Sequence, residues 1–338
     1  MTSLASLTSS LLPAIESEMR RVIARAKTRQ TAEMYHMMAY HLGWEGQGAG
    51  PRARGKRIRP LLLLLTTQAA GGNWQQALPA AASVELLHNF SLIHDDIQDN
   101  SPLRRGRPTV WKKWGTAQAI NAGDAMYTLA YAAMLDLQRT CSPQTTLQAA
   151  GILHRTCTQL TQGQHLDMAY ETRPTITEQE YWAMIEGKTA SLLAACTELG
   201  ALIAGANPSR RAAFSEFGRN LGLAFQVLDD LLGIWGDSAL TGKSAESDLV
   251  AGKKSIPILF GLQQNRAFAR RWRQGPIPAG EVQSLAARLE EEGAREYTRQ
   301  KADALTAQAL QSLAAANPQG EAGQALVELA NMLLKRQV

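Results

Sequence analysis

Apolar residues recur at helical spacing along almost the whole chain, in long stretches punctuated by glycine and proline. The pattern predicts a helix over 10–42, with Pro13 near its start, followed by a Gly- and Pro-rich loop over 43–55. From Pro60, a run of leucines from Leu61 to Leu65 enters a buried, Ala-rich helix. Further helices are predicted over 75–99, 117–137, 143–171, 177–203, 209–235, 255–269, 280–310 and 319–336. Pro102, Pro108, Pro143, Pro174, Pro208, Pro276, Pro278 and Pro318 fall between these stretches or near their ends, where helices tolerate them. Alternating β-branched and aromatic runs are nearly absent, so an all-α fold is expected. There is no repeat of fixed period and no linker that splits the chain. The segment RWRQGPIPAG at 271–280 is the most exposed-looking break, yet helical texture continues past it. One large domain over 13–338 is therefore expected, preceded by a flexible segment over 1–12.

Composition narrows the class. Of 338 residues 45% are apolar and 19% charged, which supplies a core and excludes a disordered chain. No run approaches the length of a membrane-spanning helix, so no transmembrane segment is expected. The first residues carry no basic flank of the signal-peptide kind. Cys141, Cys157 and Cys196 are too few and too scattered for a disulfide framework or a zinc knuckle, which fits a reducing, cytoplasmic setting. The net charge of +5 is mild, and no nucleic-acid module accompanies it, so no nucleic-acid partner is expected.

The most informative segment is HNFSLIHDDIQDNSPLRRGRPT. On a helix Asp95 and Asp99 share a face and Asp96 sits beside them. Alone, such a cluster reads as a solvated acidic helix end. Buried together, three carboxylates repel and lose hydration, and bound cations would remove both penalties. All-oxygen ligands suit Mg²⁺, which shares phosphate oxygens and keeps waters. Arg104 and Arg105 follow after a turn, as a metal-bridged phosphate requires. His88 lies two turns before Asp95 and can donate to a second anion.

A second cluster repeats the chemistry. Gln226, Asp229 and Asp230 form a polar strip on an apolar helix beside Phe225, and Asp237, Lys243 and Lys253 follow. Two such strips on separate helices can face one another across a cavity and clamp one metal-loaded diphosphate. Gln164 and Asp167, and Lys188 with Thr189, interrupt other apolar helices and are candidates for the same lining. The segment PRARGKRIRP places Lys56 and Arg59 three apart, with Gly55 permitting close backbone approach. It lacks the spacing of a nucleotide P-loop and better suits a diphosphate held without metal.

In this order these pieces resemble the trans-isoprenyl diphosphate synthases of the polyprenyl synthetase family. They are Gly55-Lys56-Arg57-Ile58-Arg59-Pro60, His88 with DDIQD, Arg104-Arg105-Gly106, GQHLD at 163–167, Lys188-Thr189, Phe225-Gln226, Asp229-Asp230 and the segment ending at Lys243. The resemblance implies a helical isoprenoid-synthase domain around a deep central cavity, in a homodimer. It implies condensation of isopentenyl diphosphate with an allylic diphosphate, using about three Mg²⁺ ions. Asp95, Asp96, Asp99, Asp229 and Asp230 are the implied metal ligands. Arg104, Lys188, Thr189, Gln226, Lys243 and Lys253 are implied at the allylic diphosphate, and Gly55, Lys56, Arg59, His88 and Arg105 at isopentenyl diphosphate. Gln164, Asp167, Phe225 and Asp237 have supporting places.

The second motif reads DDLLG, with Gly233 where the family usually carries a third aspartate. Phe90 and Ser91, five and four residues before Asp95, stand where bulk floors the elongation cavity in the family. That pattern resembles short-chain enzymes, with a C20 product favoured over C15. The rival readings are a terpene cyclase or atypical prenyltransferase on the same fold, and a noncatalytic regulatory subunit of a prenyl synthase.

Overall fold

The computed structural model describes residues 3–236 and 248–334, and these are almost entirely helical. They fall into two compact units. The first comprises 1–155, 196–211 and 318–326, and the second 156–195, 212–317 and 327–338. No helix among the described residues is long and apolar enough to cross a membrane.

The first unit opens with α1 (Ser3–Ala24) and α2 (Ala32–His41), a short helix α3 (Pro51–Arg54), and α4 (Ile58–Ala69). The single helix expected over 10–42 is thus interrupted. Thr31 Oγ1 donates to the Ala26 carbonyl, and the Thr28 and Thr31 hydroxyls each accept the other's backbone N–H. These side chains compete with the helical ladder and end α1. All five leucines of α4 are buried, so the middle of the helix is apolar on every side and lies in the interior. Helix α5 (Leu78–Gln98) packs against α1, α4 and α7 (Thr116–Leu135). Gly123 in α7 admits His94, whose Nε2 would lie 2.3 Å from a β-carbon at that position.

Between α5 and α7 runs a two-stranded hairpin, β1 (Leu103–Arg104) and β2 (Arg107–Pro108), followed by α6 (Val110–Trp114). Its turn residues Arg105 and Gly106 both have positive φ, 53° and 75°, as a two-residue type I′ turn requires. Helix α8 (Pro143–Glu171) follows α7.

The second unit holds α9 (Glu178–Ile185), a π-helical turn at Glu186–Ala190, and the first residues of α10 (Ser191–Ile203). It also holds most of α11 (Pro208–Trp235), and α12 (Ile256–Gln264), α13 (Ala267–Trp272), α14 (Val282–Glu291) and α15 (Ala294–Ala315). Thr177 and Glu180 form a reciprocal capping box at the start of α9. Tyr181, Ile185, Leu223, Ile256 and Leu259 share one apolar cluster; Ile258, Phe268, Leu285 and Leu289 share another. Two expected helices are divided here. Asn265, at φ 52°, closes α12 before α13, and Gly293, at φ 95°, separates α14 from α15. A final helix, α16 (Gly320–Leu334), completes the described chain.

Candidate functional site

In the first unit the hairpin directs its two arginines to different partners. Arg104 makes a forked contact with Asp96, with Nε at 2.9 and 3.0 Å from the carboxylate oxygens and Nη2 at 2.8 Å. Asp96 is almost fully buried, and burial raises its pKa while Arg104 opposes the rise. Arg105 turns the other way, donating to the Ala53 carbonyl at 2.8 Å. Its guanidinium lies where a side chain at Gly55 would start, 2.7 Å from a β-carbon there. Gly55 also has φ of 76°, so it is glycine for space and for conformation. The two basic segments, 51–59 and 104–107, meet at this contact.

Arg57 is drawn inward rather than toward a ligand. The residue is 4% exposed, and its guanidinium is held by Glu16 at 2.7 Å, Glu85 at 2.9 Å and the Leu42 carbonyl at 3.2 Å. That leaves Lys56 on the exposed side and Arg59 partly buried. Arg59 Nη1 lies 3.1 Å from His88 Nε2. Arginine has only donors, so Nε2 accepts and the imidazole proton sits on Nδ1. Burial first, and then Arg59, push His88 well below its usual pKa, which keeps it neutral. The Arg59 Nε is buried, with no hydrogen-bond partner among the described residues. Burial also lowers the pKa of Arg105, with Arg57 the next cause. An anion would relieve both strains on this cluster.

Asp95 and Asp99 lie at the last turn of α5, Asp95 partly buried and Asp99 exposed. Phe90, one turn back, contacts His94 and Tyr127 with ring centroids at 4.9 and 5.0 Å, and Tyr127 in turn meets Tyr131 edge-on. Ser91 donates to the His88 carbonyl at 2.8 Å.

In the second unit a chain of hydrogen bonds links the polar strip of α11 to its neighbours. Thr189 Oγ1 donates to Gln226 Oε1 at 3.0 Å, and Gln226 Nε2 donates to Asp230 at 3.1 Å. Asp230 also receives Tyr181 Oη at 2.6 Å and the Ile256 N–H at 3.1 Å. Burial pushes the Asp230 pKa up to about 7, against the pull of these donors. Asp229 is partly exposed, with Phe225 one helical turn before it. Lys188 pairs with Asp167. Both Lys188 and Thr189 lie in the π-helical turn, a local widening often found at functional sites. Gly163, in α8, lets the two backbones touch: a β-carbon there would lie 2.1 Å from the Lys188 nitrogen. Gln164 follows it on α8, partly buried. Lys253 is exposed, 3.9 Å from Asp248. Asp237 and Lys243 lie outside the described residues.

Among the described residues, no three carboxylate, imidazole or thiolate groups are already gathered to hold a metal ion. The donors that are present still fit Mg²⁺. They are hard oxygens with part of the shell left to phosphate and water, as that ion prefers. Spacing disclosed the aspartates, but it missed Tyr181, Glu85 and Asp248. Tyr181 and Asp230 are 49 residues apart, and no local signal marks such a pair.

A family model described as polyprenyl synthetase matches residues 50–287. A (2E,6E)-farnesyl diphosphate synthase of Mycobacterium tuberculosis is 44% identical over 245 residues, covering 72% of this chain and 67% of that protein. A geranylgeranyl diphosphate synthase of the same organism is 35% identical over 340 residues, covering 98% of this chain and 95% of that protein. The crystal structure of a geranylgeranyl pyrophosphate synthetase from Pyrococcus horikoshii matches with a TM-score of 0.88 at 29% identity, covering 99% of this chain and 98% of that one.

Proposed function

Because the chain belongs to the polyprenyl synthetase family, we propose that it joins isopentenyl diphosphate to an allylic diphosphate and releases inorganic diphosphate. The observation that carries this reading is the cluster of Lys56, Arg59, His88 and Arg105, with its buried Arg59 Nε unpartnered among the described residues. An enzyme that only ionises one diphosphate has no need of it.

In this reading the Arg59–His88–Arg105 cluster, with Lys56 at its rim and Gly55 giving access, binds isopentenyl diphosphate. Neutral His88 holds its proton on Nδ1 and adds no further charge. We assign Asp95, Asp99 and Asp229 to Mg²⁺. Asp96 and Asp230, engaged by protein donors, position Arg104 and Gln226. Mg²⁺ held by these carboxylates would stabilise the charge that develops on the leaving diphosphate. Arg104, Lys188, Gln226, Lys243 and Lys253 then supply charge and hydrogen bonds to that diphosphate, and Thr189 lines the reacting centre. The allylic C–O bond breaks with its electron pair on oxygen. The alkene of the second substrate attacks the cation, and loss of a proton restores a double bond. The departed diphosphate is the base. Ordering the two substrates lowers the barrier further.

We favour a C20 product over C15, with Phe90 as the floor of the growing chain and Ser91 leaving room beside it. The named relatives include both a farnesyl and a geranylgeranyl synthase. A homodimer and a cytoplasmic location go with this reading. The test is purified protein with Mg²⁺, isopentenyl diphosphate and separate C5, C10 and C15 allylic diphosphates, with products identified by mass. Elongation only when both substrates are present supports the proposal. Hydrocarbon or alcohol from the allylic substrate alone would make the protein a cyclase, and no turnover would make it a noncatalytic subunit.

A further inference from the structure

The two acidic motifs of this chain are unequal. The first has carboxylates at 95, 96 and 99; the second has them at 229 and 230 and a glycine at 233. Gly233 lies inside α11 and is not one of the glycines with positive φ, so its backbone would accept any residue. Glycine weakens a helix by about 1 kcal/mol relative to alanine, so its presence needs a reason of space. That space is taken by Asp248. A β-carbon at 233 would lie 2.4 Å from Asp248 Oδ2, 2.6 Å from Cγ and 3.0 Å from Oδ1. The Asp248 N–H is bonded to the Gly233 carbonyl at 3.0 Å, which fixes the residue at this point of the helix. The carboxylate is 16% exposed, and its charge reaches both Asp230 and Tyr181.

We infer that Asp248 supplies, from fifteen residues further along the chain, the carboxylate that residue 233 lacks, and that residue 233 is glycine in order to seat it. The inference rests on the reading of the second acidic cluster as part of the Mg²⁺–diphosphate site. Asp248 also anchors the turn that carries Lys253, whose N–H bonds the Asp248 carbonyl at 3.1 Å. Lost ligands and relocated ligands make opposite predictions for one substitution. If the second motif is simply short of a carboxylate, Gly233→Asp should improve it. If Asp248 already fills the place, the new side chain evicts it and the site is damaged.

The test is calorimetric titration of Mg²⁺ in the presence of inorganic diphosphate. The proteins are wild type, G233D, D248A and the double variant G233D/D248A, with melting temperatures recorded for each. Each single variant should weaken Mg²⁺ binding by about tenfold or more, the usual scale for disturbing the groups that orient a metal site. The double variant should bind more tightly than either single one, because one carboxylate then has the space to itself. Binding by G233D equal to or tighter than wild type overturns the inference, as does a double variant no better than the weaker single. If G233D melts out, G233A takes its place, since its methyl group meets the same oxygen; unchanged Mg²⁺ binding by G233A is equally fatal. A wild-type protein that shows no Mg²⁺-dependent diphosphate binding overturns the proposed function, and this inference with it.

Discussion

Tyr181→Phe removes one hydroxyl from the protein interior, at a cost that should depend on pH. Tyr181 is 1% exposed and donates to Asp230 at 2.6 Å. A hydrogen bond to a charged group contributes about 1.5–3 kcal/mol, and one to a neutral group about 1 kcal/mol. Which value applies depends on the protonation of Asp230, whose pKa is raised from 3.8 to about 7. A raised acid binds its proton more tightly folded than unfolded. Its contribution to stability is therefore full below about pH 4 and is lost as the pH climbs toward 7, by up to about 4 kcal/mol. The Tyr181 hydroxyl favours the carboxylate form, so its loss pushes the pKa higher still and extends this decline above pH 7. The Y181F penalty is expected to be about 1 kcal/mol at pH 5 and about 2–3 kcal/mol at pH 8. Urea unfolding at the two pH values, with EDTA present, measures both. In a D230N background the pH dependence should vanish. A penalty that is the same at both pH values, or larger at pH 5, refutes the reasoning.

Other substitutions test other contacts. Glu85→Ala strips a nearly fully buried partner from Arg57 and should destabilise the fold by about 3 kcal/mol in urea unfolding; a loss under about 1 kcal/mol would show that Glu16 alone suffices. Gly163→Ala drives a methyl group into backbone at Lys188, which has no room to yield. It should lower stability by about 2 kcal/mol and reduce turnover, read by melting and by the condensation assay. Phe90→Ala opens the ring contact with Tyr127 and should lengthen products by at least one C5 unit in mass analysis. Unchanged product length would remove Phe90 from that role.

Much of this molecule is legible in its sequence because its helices carry their own apolar periodicity. The aspartates of both motifs could be found by spacing along one helix. Other features depend on chain segments meeting. Nothing near residue 28 outweighs the helical texture of 10–42 until Thr28 and Thr31 bond one another's backbone. The hairpin at 103–108 escapes notice because Arg105, not asparagine or glycine, occupies the first left-handed turn position. Asp96 and Asp230 read as ligands from their spacing, while the structure adds the donors each already has. The roles of Tyr181, Glu85 and Asp248 exist only in three dimensions.

The turn of that hairpin has a consequence for anyone seeking a hardier version of this protein. Arg105 occupies a backbone conformation that costs an ordinary side chain about 1–2 kcal/mol and glycine almost nothing. Its charge is also crowded by Arg57 and Arg104. Arg105→Gly should therefore raise the melting temperature while removing one of the cations proposed to hold the second substrate. A selection that rewards heat resistance alone would climb to that variant and return a sturdier protein with a weaker hold on the substrate proposed for that cluster. Thermal robustness and catalytic competence pull in opposite directions at this residue, so any screen here has to read both.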